Sequence, residues 1–241
     1  MFVLAIDTAT PAVTAGIVEV TAGQLLTVAE HVTVDARRHV EALLPQLRRC
    51  LSEAELSRSD LTAVVTGTGP GPFTGLRVGM ATAQAFADAA GLPLYGVCSL
   101  DAVAYAALHQ PSYPPGPLLV ATDARRAEVY WSSYDTDGAR LDPPAVDTPA
   151  ALRERLDNAD IHATWSVGEG AVGYADTLGL PVHEPAYPSS VGLVNAALER
   201  ISTRAAGEQP RPLYLRRPDA VPQAQFRSGN TGTVAASTVP G

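Results

Sequence analysis

A chain of 241 residues with a net charge of −8 has room for one large domain or two small ones, and its acidic balance argues against the sequence-independent phosphate grip of most nucleic-acid binders. All 17 basic residues are arginine, so no lysine exists to form a Schiff base or complete a P-loop. No apolar run approaches the roughly 20 residues that cross a bilayer.

The opening MFVLAIDTAT lacks the basic start of a signal peptide and reads as a strand over residues 2–7. Apolar runs at 13–20 and 25–34 add two more strands, joined by a turn at Gly23 and Gln24. Three antiparallel strands at the head of an α/β chain indicate a mixed sheet rather than a parallel one. A helix is predicted over 35–52, capped by Asp35, with Val40, Leu43, Leu44, Leu47 and Leu51 as one apolar face bent at Pro45. A buried strand over 61–66 runs into a Gly/Pro-rich loop, and a helix over 76–90 follows, with Thr74 as its N-cap. That helix carries so many alanines and glycines that its surface is nearly smooth. A strand at 94–97 and a helix opened by Ser99 lead to the stretch 110–117, the predicted boundary between a subdomain of residues 1–110 and one of 111–217. The second half offers strands at 118–122, 128–134 and 164–167 and helices at 149–156 and 191–204. Residues 218–241 are small and polar and are predicted to be a disordered tail.

Cys50 and Cys98 stand in unrelated contexts with no CxxC pair, which suits a reducing, cytoplasmic compartment. The five histidines never fall three to five residues apart, so no local metal pair is expected. Asp7, Thr8 and Thr10 place an acid and hydroxyls at the end of the first strand. In the superfamily of sugar kinases, Hsp70 and actin, this position faces the phosphates and magnesium of ATP. A matching second loop should open the second half, and Asp123 stands there. Arg125 and Arg126, however, replace the glycines that would let backbone approach a phosphate. Gly69, Gly71, Thr74 and Gly75 lead into a helix N-terminus, where free amides favour anions. These eight residues (Asp7, Thr8, Thr10, Gly69, Gly71, Thr74, Gly75, Asp123) read as a degenerate phosphate site, with no catalytic group, metal or cofactor assigned.

The blocks DTAT at 7–10, HVEALLP at 39–45, GPGPFTGLR at 69–77, GVCSL at 96–100, DARRAEVY at 123–130 and PLYLR at 212–216 closely resemble, in that order, the TsaB (YeaZ) family. The resemblance spans residues 1–217 and departs at Pro72, where the family usually has serine. It implies an actin-like α/β fold (ASKHA, ribonuclease H-like) of two tandem subdomains, each a mixed sheet flanked by helices. It also implies a non-catalytic subunit of the machinery that makes N6-threonylcarbamoyladenosine (t6A) in tRNA. Such a subunit binds the catalytic paralogue TsaD, helps recruit the ATPase TsaE and meets tRNA only indirectly. The docking face would lie on the helices 36–51 and 76–90, with His39, Leu43, Leu47, Arg77, Met80 and Gln84 as contributors. The sequence leaves open whether the free protein pairs with itself through that face. An independently active ATPase or kinase of the same fold is the alternative. A peptidase reading, from the family's kinship with proteins once called O-sialoglycoprotein endopeptidases, lacks a local metal cluster or activated nucleophile.

Overall fold

The computed structural model describes residues 1–22, 24–36, 38–110 and 112–216; the tail expected over 218–241 lies outside them. The chain opens with the three antiparallel strands that the apolar runs predict, β1 (Phe2–Asp7), β2 (Ala12–Thr21) and β3 (Gln24–Val34). β1 also pairs in parallel with β4 (Leu61–Gly67), and β4 with β5 (Leu94–Val97), giving a mixed sheet of order β3-β2-β1-β4-β5. Both faces of β1 are covered, so its run is apolar without alternation. Leu4 and Ile6 face α1 (His39–Glu53) and α2 (Phe73–Ala90) through Leu43, Leu47, Ala83 and Ala87. Val3 and Ala5 face α7 (Ser190–Ala196) and α8 (Leu198–Ser202) through Leu193, Val194 and Ile201.

The second sheet contains β6 (Leu118–Asp123), β7 (Val129–Tyr134), β8 (Ala145–Asp147), β9 (Trp165–Val167) and β10 (Val182–His183) in the order β10-β9-β6-β7-β8. One face packs on α3 (Ser99–Leu108) through Leu100, Val103 and Ala107. The other packs on α4 (Pro149–Asp157), α5 (Glu169–Gly173) and α6 (Ala175–Leu178) through Leu152, Ala171 and Leu178. The helices therefore cross over: α3 leaves the first sheet to cover the second, and α7 returns from the second half to cover the first. They meet at Gly192, where a Cβ would collide with the Ala102 carbonyl. Among the described residues, no helix is long and apolar enough to cross a membrane.

The structure corrects the predicted helix ends. α1 starts at His39, not at residue 35, and Asp35 does not cap it. The Asp35 amide donates to the Pro11 carbonyl (3.0 Å) and its own carbonyl accepts from Arg38, because β3 must first finish pairing with β2. α2 begins at Phe73 with Pro72 in the cap position, so Thr74 lies inside the first turn. Ser99 is the first residue of α3 rather than its cap, and its hydroxyl serves Asp7 instead. The helix expected over 191–204 breaks at Ala197 into α7 and α8. The apolar face expected on α1 also divides. Leu43 and Leu47 are buried, whereas Val40 is 68% and Leu44 56% exposed.

Candidate functional site

β1 and β6 end in the acids Asp7 and Asp123, and both turns approach the N-terminus of α2 at one cleft. Its cavity of about 290 Å³ is lined by Thr8, Thr10, His39, Thr74, Gly75, Asp123 and Arg125, among others. Five of the predicted phosphate residues, Thr8, Thr10, Thr74, Gly75 and Asp123, thus share one cavity. Asp7, Gly69 and Gly71 lie in the layer behind it.

The Asp7 carboxylate is buried and turned away from solvent. Its Oδ2 accepts from the Ser99 hydroxyl at 2.5 Å and its Oδ1 from the Ala9 amide at 2.8 Å. Gly67 leaves it room, since a Cβ there would overlap the carboxylate. Burial pushes the carboxyl up to about 6, while the Ser99 and Ala9 hydrogen bonds and nearby His39 pull it down. Ser99 also accepts from the Gly69 amide at 3.2 Å and donates its own amide to the Gly69 carbonyl at 2.8 Å. The glycine loop is thereby stitched to the end of β1. At Gly71, a side chain would strike the Ala9 carbonyl.

Thr8 is bound into α2. Its hydroxyl donates to the Gly75 carbonyl (2.7 Å) and accepts from the Gly79 amide (3.0 Å), bridging two backbone groups one helical turn apart. The Thr10 hydroxyl accepts from the Ala12 amide at 3.2 Å. The His39 ring spans two carbonyls, with Nε2 2.9 Å from that of Thr10 and Nδ1 3.1 Å from that of Ala36.

On the opposite wall, Asp123 Oδ1 accepts from the Arg125 amide at 3.0 Å. Arg125, Arg126 and Ala127 follow with φ of +60°, +55° and +56°, three successive side-chain-bearing residues in the left-handed region. Glu169, the first residue of α5, is not among the predicted site residues. Gly168 and Gly170 press against the Ala121 and Thr122 backbone and carry Glu169 under the Asp123 amide, which donates to its Oε1 at 3.3 Å. Its Oε2 is buried and has no hydrogen-bond partner among the described residues. Burial, reinforced by the charges of Asp123 and Asp7, pushes this carboxyl up to about 8. Nothing in the motif Gly-Glu-Gly signals this; the position depends on β9 pairing with β6. Among the described residues, no three of His, Cys, Asp and Glu converge closely enough to hold a metal ion.

Outside the cleft, Arg77 lies on α2 with its guanidinium 3.7 Å from the centre of the Phe73 ring, and its Nε donates to the Tyr214 hydroxyl at 3.1 Å. Met80 and Gln84 continue that side of α2 and are half-buried, with Gln84 donating to Asp88. Leu43 and Leu47 belong to the core. The apolar side chains that α1 shows to solvent are Val40 and Leu44.

Residues 28–220 match the family model described as TsaD, tRNA N6-adenosine threonylcarbamoyltransferase. An Escherichia coli protein named tRNA threonylcarbamoyladenosine biosynthesis protein TsaB is 32% identical over 228 residues, covering 90% of this chain and 95% of that protein. The chain belongs to the TsaB family. An uncharacterized Mycobacterium leprae protein, ML0378, is 50% identical over 223 residues, and there the chain spans 91% of its own length but 56% of the relative's. The solved structure of YeaZ from Pseudomonas aeruginosa superposes with a TM-score of 0.70 at 28% identity, covering 89% of this chain and 99% of that one. The actin-like fold with two mixed sheets, expected from the motif order, is the fold of this TsaB-family chain.

Proposed function

We propose that the chain is a non-catalytic docking subunit for t6A synthesis in the cytoplasm. In this reading it binds and supports a catalytic TsaD paralogue, helps recruit the ATPase TsaE, and meets tRNA only through them. The subdomain of residues 1–110 carries the docking face and that of 111–217 completes the fold. The family membership and the name of the E. coli relative support the pathway. The observation that carries the docking role is the outer side of α1 and α2. Val40 and Leu44 stand at solvent on α1 while Leu43 and Leu47 fill the core, and α2 carries Arg77 exposed and Met80 and Gln84 half-buried. Two exposed apolar side chains one turn apart on a helix support this reading.

The polar groups at and behind the cleft support the non-catalytic part, because most already hold protein partners. Asp7 is engaged by Ser99 and Ala9, Thr8 by α2, Thr10 by Ala12, and Asp123 by Arg125. A working ATPase of the actin-like superfamily is the second reading, favoured by the cavity at the head of α2. ATP turnover by the purified protein that disappears in Asp7→Ala would establish it.

The test of docking is light scattering after size exclusion, with the protein alone and mixed with TsaD from the same organism. A heteromeric peak is expected, weakened at least about tenfold in affinity by Leu44→Glu or Met80→Glu with the thermal melt unchanged. The run without TsaD shows whether a second copy occupies the same face. No heteromer, or one indifferent to both charges, would defeat the proposal.

A further inference from the structure

The end of the described chain adds a further tie between the head of α2 and the loop 123–128, which face each other across the cleft. After α8, the chain returns along the edge of the first sheet. The Glu208 amide donates to the Leu94 carbonyl at 3.0 Å and the Leu213 amide to that of Thr68 at 2.8 Å. Gly96 makes room for Pro210, which a Cβ would meet at 3.1 Å. The next residue, Tyr214, stacks on Phe73 with ring centres 5.2 Å apart and accepts from Arg77, at the head of α2. Two residues later, Arg216 crosses to the second sheet. Its guanidinium donates to the carbonyls of Ala124 (2.8 Å) and Arg125 (3.3 Å) and pairs with the Glu128 carboxylate.

The loop that Arg216 grips is the one with three successive left-handed residues. L-residues rarely adopt that conformation, and it persists only where the surroundings over-determine it. Two hydrogen bonds close the loop, Ala124 N–H to Glu128 at 2.9 Å and Glu128 N–H to Arg125 at 3.1 Å. The planar fork of Arg216 adds a second donor to the Arg125 carbonyl and one to that of Ala124, a pairing that a point charge would not reproduce. Arg125 lines the cleft, so the grip also sets where its backbone stands. Two residues span at most about 7 Å, so Tyr214 cannot shift far without pulling on Arg216.

We infer that residues 207–216 form a strap coupling the outer surface of α2 at Arg77, through Phe73 and Tyr214 at the cleft rim, to the conformation of the cleft loop 123–128. Contact at the first is felt at the second. The coupling is a property of the free chain and does not depend on which partner docks.

Hydrogen exchange at the Ala124 and Glu128 amides of the full chain tests it, with a perturbation placed at either end of the strap. Arg216→Ala should speed exchange there about tenfold or more. Arg77→Ala and Tyr214→Ala, which leave every contact of the loop itself intact, should speed it at least about threefold. Arg211→Ala, on an exposed side chain of the strap, should leave it unchanged, as should all variants the amides of β1. Should Arg216→Ala unfold the chain, Arg216→Lys carries the same comparison, because lysine keeps the charge beside Glu128 but cannot fork across two carbonyls. If loop exchange responds at Arg216 but not at Arg77 or Tyr214, Arg216 is a local clamp and the coupling is overturned. It is equally overturned if no substitution at 216 is felt.

Discussion

Glu169 and Asp7 bring one carboxyl from each half towards the same cleft, and burial raises both, to about 8 and about 6. The folded state therefore holds protons that the unfolded chain would release. Below the unfolded value of 4.5 for Glu169, both states are protonated and burial carries no penalty of this kind. As pH rises from 4.5 towards 8, stability is lost progressively, and above 8 the loss is complete. Asp7 acts in the same direction between 3.8 and about 6. Glu169→Gln retains an acceptor for the Asp123 amide and removes the titration. It should stabilise the fold by on the order of 3 kcal/mol at pH 7 and by little at pH 5. Urea titrations at pH 5, 7 and 8 decide the matter, and a stability gain that does not grow with pH would contradict it. Asp7 was legible as a site residue because it ends an apolar strand before a run of hydroxyls. Glu169 was not, since its burial arises from two glycines pressed against a strand that lies 46 residues earlier in the chain.

Elements were legible where they were long or bounded by turn signals. β1 to β4 and α2 follow from long runs, and the short β5 and β9 from apolar residues bounded by turn signals, while β8, β10, α5 and α6, two to five residues each, carry no such pattern. Helix ends failed for a different reason. Asp35, Thr74 and Ser99 are all good capping residues, but strand pairing, Pro72 and the Asp7 carboxylate engage those segments first. On α1 the pattern of five apolar residues identified the helix correctly and merged two columns that the fold separates. Neighbouring leucines should therefore behave oppositely. Leu43→Ala opens a cavity against Leu4 and Ile6 and should cost about 2–5 kcal/mol, whereas Leu44→Ala should stay within about 0.5 kcal/mol. In a TsaD-binding measurement the order should reverse, with Leu44→Ala the weaker binder once both proteins are folded. Equal stability losses at the two positions would mean that α1 does not sit as described.

For the molecule as a whole, the sequence showed two halves that each open with a strand pair and an acidic turn. It did not show that the helices are exchanged between them, because the return of α7 depends on distant contacts such as that of Ser190 with Glu30, 160 residues apart. α3 supplies Leu100, Val103 and Ala107 to the core of the second sheet, and α7 supplies Leu193 and Val194 to that of the first. Neither sheet can then keep its core when the other unfolds, so the two should unfold together, as one cooperative unit. The distribution of tryptophan makes this measurable: Trp131 and Trp165 are both buried in the second sheet, while far-ultraviolet circular dichroism reports on all elements. Fluorescence and dichroism should give coincident denaturation curves. Gly192→Val, placed where α7 meets the Ala102 carbonyl, should shift both curves together by about 2 kcal/mol or more. A fluorescence transition that stays in place while dichroism alone moves would mean that the crossing helices pack on the two sheets without coupling them.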